Sequence, residues 1–212
     1  MRSAPVVLGL LLATAGPVVA ADCRTDVVDA FERQRKAGAF RMVANVVGAQ
    51  GPMTLTLDYV LPDKLHQTIK FAIQPTPIQA VLIGAEAWVD EGQGWRDASR
   101  DEKDELNRQL AQVSEETGEQ LGQFDCLGSS SVDGQRRLNA FLALEGPRDK
   151  SKAATAPVNK DNRAERIIYV DPTTGLPART ILALPGKYDK PIFKAEYSYP
   201  ADIKVEKPVT GK

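Results

Sequence analysis

Met53-Thr54-Leu55-Thr56-Leu57-Asp58-Tyr59 alternates apolar and polar side chains without a break. A period of two places Met53, Leu55, Leu57 and Tyr59 on one face of a strand and Thr54, Thr56 and Asp58 on the other. One face meets a core and the other meets water. Just upstream, Phe40 to Val47 also reads as a strand, and Ala49-Gln50-Gly51-Pro52 between the two is turn chemistry, which predicts a hairpin. Before the hairpin, Thr25 to Ala37 reads as a helix. Val27, Ala30 and Phe31 share one face of it, and Gly38 supplies a C-terminal stop.

Downstream, Leu61-Pro62-Asp63 bends the chain into a strand from Leu65 to Ile73, with Leu65, Gln67, Ile69, Phe71 and Ile73 on one side. Pro75-Thr76-Pro77 is a stiff link to a strand from Ile78 to Ile83. Gly84-Ala85-Glu86 turns into the short strand Ala87-Trp88-Val89, and Glu91-Gly92-Gln93-Gly94 turns again before Trp95. Ser99-Arg100-Asp101-Glu102 is a capping box opening a long helix to about Phe124. Leu106, Leu110, Val113, Leu121 and Phe124 draw one narrow apolar stripe along it, so it lies across a surface rather than inside a core.

A second β region opens near Asp125. Strands are expected at Arg137 to Glu145, Arg166 to Val170, Ala178 to Leu184 and Ile192 to Tyr199, the last with Phe193, Ala195, Tyr197 and Tyr199 on one side. Asp171-Pro172-Thr173-Thr174-Gly175 is a tight hairpin turn. Pro147 to Ala164 is polar and basic, and reads as a long mobile loop. The tally predicts an α+β domain: a large, strongly curved antiparallel sheet with helices laid on one face.

Met1-Arg2, the apolar run from Val6 to Ala15 and the small residues Val18-Val19-Ala20-Ala21 form the pattern of a secretory signal peptide, cut after Ala20 or Ala21. Pro17 ends the run short of the roughly twenty apolar residues that a membrane anchor needs. Residues 22–212 are then one soluble domain, with no second long apolar segment. Asp22 stands before Cys23, where bacterial lipoproteins carry a small residue, so no lipid modification is expected. The chain has 27 Lys+Arg and 28 Asp+Glu; losing Arg2 with the leader leaves 26 against 28. That balance offers no electrostatic attraction to nucleic acid or to an anionic membrane. Cys23 and Cys126, alone in an exported chain, are most simply one structural disulfide.

Catalytic patterns are missing. His66 is the only histidine, opposes Leu65 and Ile69 in the alternation, and has no nucleophile or metal partner nearby in sequence. Ser129-Ser130-Ser131 reads as a polar loop, and the acidic residues of the long helix as a solvated face. No phosphate loop, dinucleotide fingerprint or metal set stands out, so neither a cofactor nor an enzyme is expected. Trp88 and Trp95 flank a short hairpin; they either cap the core or line the mouth of an apolar cavity.

Taken in order, these pieces resemble one family. The strand from Met53 to Tyr59 running into Leu61-Pro62-Asp63-Lys64-Leu65 is similar to the strand and bend of the LolA-like fold. Ile83-Gly84-Ala85-Glu86-Ala87-Trp88-Val89 resembles its DG-x-x-xW hairpin. Asp171-Pro172-Thr173-Thr174-Gly175-Leu176-Pro177 resembles its Asp-x-x-(Ser/Thr)-Gly-Leu-Pro hairpin, and Phe193 to Lys204 its closing strand. The resemblance implies an unclosed, strongly curved antiparallel half-barrel covered on its concave face by helices. In the carrier branch it implies an apolar cavity for the acyl chains of lipoproteins crossing the periplasm. That branch carries an Arg directly before the bend proline; here Val60-Leu61 precede Pro62, so the lipoprotein-releasing mechanism is not transferred.

The reading that follows is a monomeric, non-enzymatic periplasmic protein holding a lipid-like or acylated ligand in the concavity. Its candidate lining is Met42, Leu55, Leu57, Tyr59, Ile69, Phe71, Trp88, Trp95 and Phe193. Those residues would serve equally as ordinary core beneath the helices. The alternative reading is an interaction or envelope-sensing module of the same fold that meets a protein partner and takes no small ligand.

Overall fold

A computed structural model of the chain describes residues 23–48, 51–115, 124–134, 136–145 and 163–210. The expected signal peptide lies outside the described residues, as does most of the expected loop from Pro147 to Ala164. Two helices and eleven strands follow in chain order: α1 (Arg24–Ala37), β1 (Ala39–Gly48), β2 (Gly51–Val60), β3 (Lys64–Phe71), β4 (Ile78–Ile83), β5 (Glu86–Asp90), β6 (Arg96–Asp97), α2 (Arg100–Glu115), β7 (Asp125–Val132), β8 (Arg136–Leu144), β9 (Glu165–Val170), β10 (Pro177–Ala183) and β11 (Phe193–Ser198).

All eleven strands belong to one sheet, ordered β6-β5-β4-β3-β2-β1-β11-β10-β9-β8-β7. Every pairing is antiparallel. Each neighbour follows its partner directly in the chain except at the centre, where β1 meets β11 (Val46↔Phe193 through Arg41↔Ser198). The sheet does not close: β6 and β7 are its two edges.

Register fixes the faces. Phe40, Tyr59, Leu65, Leu82 and Ala87 stand in one row across five strands. With Leu57 they pack against Leu106 and Leu110 of α2, all of them buried. That row belongs to the concave face, and α2 roofs the β3–β4 half of it. Burying a leucine stabilises by about 1.5–3 kcal/mol, so Leu106 and Leu110 are the main attachment of α2. On the other half α1 packs on β1, β9 and β10, with Cys23, Val27 and Ala30 against Phe141, Ile168 and Val170.

Gly38 ends α1 at φ 76°, donating its N–H to Arg35 O at 3.1 Å. A left-handed residue here lets β1 begin at once, and a side chain would be strained there. Cys23 and Cys126 are disulfide-bonded with Cα atoms 5.6 Å apart, 103 residues apart in sequence. The bond ties the start of α1 to edge strand β7, beside the buried Phe124.

The structure corrects three local expectations and adds one strand. β3 stops at Phe71, because Ala72 N–H pairs with Pro52 O and the chain then turns, leaving Ile73 at 85% exposure. Phe124 is not on the stripe of α2; it packs beside Cys23 and Phe141. Ser129 to Ser131 form part of β7 rather than a loop, since an edge strand tolerates polar side chains on both faces. β6, two residues long, is too short to show a period.

Replacing both cysteines by alanine should lower unfolding free energy by about 2–5 kcal/mol, measured by denaturant titration. An unchanged midpoint, or two reactive thiols in the denatured, unreduced protein, would contradict the bond.

Candidate ligand-binding concavity

Between the two helices the concave face is not filled. A cavity of about 510 Å³ remains over the central strands. Its floor is Phe40, Met42 and Val46 of β1, Leu55 and Tyr59 of β2, Phe193 and Tyr197 of β11, Thr180 and Leu182 of β10, and Ile168 of β9. Phe31, Gln34 and Arg35 of α1 form one wall and Gln109, Gln112 and Val113 of α2 the other. The size lies within the range of about 300–1,000 Å³ common for small-molecule sites.

Tyr199, Thr180 and Tyr197 are hydrogen-bonded. Tyr199 Oη donates to Pro177 O at 2.7 Å and accepts from Gln34 Nε2 at 3.0 Å. Thr180 Oγ1 and Tyr197 Oη share a hydrogen bond of 3.3 Å. Phe40 stacks on Tyr59, ring centroids 4.7 Å apart. Burial, and secondarily Tyr197, pushes the Tyr59 phenol well above its ordinary range. Burial does the same to Tyr199, against the lowering effect of the Gln34 hydrogen bond. Both phenols are therefore neutral at any physiological pH. Arg166 at the strand ends is paired with Glu145 at 2.6 Å. The floor thus presents mainly apolar surface, with the polar and charged side chains at its walls and ends.

The α2 wall is anchored at its N-terminus. Ser99 N–H donates to Glu102 Oε2 at 2.7 Å and Glu102 N–H to Ser99 Oγ at 3.4 Å, completing the expected capping box. Arg96 of β6 grips the same carboxylate at 2.8 and 2.9 Å, and Glu91 at 3.0 Å. Arg96, then the Ser99 backbone, hold the Glu102 carboxyl down to about 2. Its pKa is depressed in the fold, so this contribution is complete above about 4.5 and is lost as pH falls toward 2.

Of the nine expected lining residues, Met42, Leu55, Tyr59 and Phe193 line this cavity. Phe71 lines a separate groove of about 380 Å³ at the ends of β1, β2 and β3. Ile69 is on the concave face, opposite Leu55, and lines neither space. Leu57 is packed core, fully buried under α2. Trp88 and Trp95 are not in the concavity. Trp88 pairs with Val81, which places it in the row of Asp58 and His66 on the opposite, convex face. There Trp88, Val81 and Val205 form a small cluster with Trp95 at its margin, and Lys207 Nζ lies 4.7 Å from the Trp88 ring centroid and 3.4 Å from Glu86. His66 shares that face, and its Nε2 is buried without a hydrogen-bond partner among the described residues. Sequence reading missed Phe31, Gln34, Thr180, Leu182 and Tyr197; the alternation of β11 carries a signal for Tyr197, but nothing in sequence brings α1 over β10. Among the described residues no cluster of His, Cys, Asp and Glu could hold a metal ion, and no helix is long and apolar enough to cross a membrane.

No family model matches the chain, and no curated protein matches it. Solved structures do. LprF from Mycobacterium bovis superposes at a TM-score of 0.55 with 11% identity, over 89% of this chain and 97% of LprF. MucB gives 0.43 and 15% identity over 86% of this chain, which spans 64% of MucB. The LolA superfamily protein NE2245 from Nitrosomonas europaea gives 0.30 and 10% over 84% and 92%. The chain has the fold of LprF. Its open antiparallel sheet, covered on one face by the two described helices, is the unclosed half-barrel expected from the sequence.

Two outcomes follow. Glu102→Gln should lower the melting temperature above pH 4.5 and flatten its fall between pH 4.5 and 2; an unchanged pH profile would remove the anchor. Both tryptophans lie outside the cavity, so an apolar ligand should leave intrinsic fluorescence unmoved, while deleting residues 203–212 should red-shift it. A ligand-induced shift with no effect of the deletion would contradict this placement.

Proposed function

We propose that this chain is a non-enzymatic periplasmic carrier, exported by a cleaved leader and monomeric, that holds a lipid-like or acylated ligand in its concavity. The observation that carries this reading is the cavity of about 510 Å³ with an aliphatic and aromatic floor and neutral phenols. A sheet face of this kind is normally covered outright, because exposed apolar area costs about 25 cal/mol per Å². Leaving it open is rational where a ligand completes the core. The disulfide is consistent with an oxidising compartment.

Each methylene buried contributes about 0.8 kcal/mol, close to fourfold in affinity. A series of fluorescent fatty acids titrated onto delipidated protein should therefore bind more tightly with each added carbon until the cavity is full, with little dependence on salt. Leu182→Trp narrows the space and should weaken binding at least tenfold while the fold persists by circular dichroism. Thr56→Trp, on the convex face, should bind like the parent. If the parent binds no chain at micromolar concentration, the carrier reading fails and the interaction-module reading replaces it.

A further inference from the structure

The exposed large apolar side chains are not scattered. Val47, Ile73, Leu144, Leu184, Tyr188 and Ile192 account for six of the eight among the described residues. All six lie at the same ends of the strands. Val47 N–H bonds Ile192 O at 3.0 Å, Ala72 N–H bonds Pro52 O at 3.1 Å, and Ile192 N–H bonds Leu182 O at 2.8 Å. Leu144 pairs with Glu165, whose carboxylate accepts from Tyr188 Oη. These links run along one rim from β3 through β1 and β11 to β8. Isolated exposed apolar residues need no explanation, but a row on one rim does.

The same rim carries lysines. Lys70 and Lys194 sit in the groove lined by Val47, Pro52 and Phe71. Lys187 and Lys190 lie in the β10–β11 connection, interleaved with Leu184, Tyr188 and Ile192. Asp189 stands among them, and Lys194 is 3.4 Å from Glu196. Glu145 is paired with Arg166, and Glu91 at the far edge with Arg96. The balance along this stretch is basic, although the whole chain is slightly acidic. The cavity reaches the same rim: Val46, Leu182, Ile192 and Phe193, all close to these strand ends, line it.

We propose that this rim docks on an anionic lipid surface, with the apolar tips entering the headgroup layer, the lysines meeting lipid charge, and the cavity mouth facing the bilayer. Tyrosine and lysine beside aliphatic tips suit the interface, where an amphipathic ring and a flexible ammonium both find partners. These groups sit on successive loop tips and strand ends, so each can enter a fluid headgroup layer independently of the others. The inference rests on the carrier reading for its purpose but is measured separately from it.

Flotation with vesicles of phosphatidylcholine alone, and of phosphatidylcholine mixed with phosphatidylglycerol, is the test. The full chain without its leader should bind the mixed vesicles strongly at low salt, more weakly at high salt, and bind phosphatidylcholine weakly. Lys187→Glu with Lys190→Glu should reduce binding to the mixed vesicles by about tenfold or more. Ile73→Asp with Leu184→Asp should reduce binding to both vesicle types, and Val209→Asp, exposed elsewhere, should change nothing. Circular dichroism confirms that each variant is folded. Absent binding to the mixed vesicles, or equal binding by all variants, overturns the proposal. So does a dimer in lipid-free buffer that Ile73→Asp dissociates, since the occupant would then be a second copy. Fatty acid binding without vesicle binding would sink this inference alone; vesicle binding without fatty acid binding would sink the carrier reading alone.

Discussion

Between Arg41↔Ser198 and Val46↔Phe193, β1 is zipped to β11 from nearly opposite ends of the described chain. Without this contact the strands are two separate meanders, β1 to β6 and β7 to β11, each with a bare apolar face. With it, Met42 lies beside Tyr197 and Val46 beside Phe193, and these four side chains make the middle of the cavity floor. The pairing is the least local in the fold, so its entropy of closure is met only when the flanking hairpins are already in place. The concavity is thus a property of the complete sheet and of neither half.

The roof follows from what remains. Two helices must cover eleven strands, and each is fixed near its N-terminus to one half: α1 by the disulfide at Cys23, α2 by the grip of Arg96 on Glu102. Their buried faces are narrow. Val27 and Ala30 serve α1, and Leu106 and Leu110 serve α2. α1 reaches β1 and β10 on either side of β11, and among the described residues the apolar floor stays open between Gln34 of α1 and Gln112 of α2. Polar walls above an apolar floor give an occupant a dry bed and a wet lip.

The hairpins were legible because each is local. Alternation in Met53 to Tyr59 and in Phe193 to Tyr199 set the correct inward face, and Gly38 and the Ser99–Glu102 box marked helix ends that the structure keeps. The same alternation turns Met42, Leu55, Tyr59 and Phe193 toward the cavity that they line. The reading failed where periodicity had nothing to grip. Ala87-Trp88-Val89 is apolar throughout, so parity there is undetermined and Trp88 fell on the wrong face. Leu57 and Tyr59 share a face and differ only in what lies above them, which depends on where α2 settles. The tail that covers Trp88 has only scattered apolar side chains, Ile203, Val205 and Val209, without a period, and its contact through Lys207 is invisible in composition.

If the concavity holds an acyl chain, that chain lies over the β1–β11 seam, between the two helices. The most direct measurement is the set of intermolecular NOEs between a ¹³C-labelled fatty acid and the folded protein. Contacts are expected from the chain methylenes to the methyl groups of Met42, Leu55 and Leu182 and to the Phe193 ring. Contacts confined to Trp88 and Val205 on the convex face, or a bound chain with none to Met42 or Leu182, would contradict that placement.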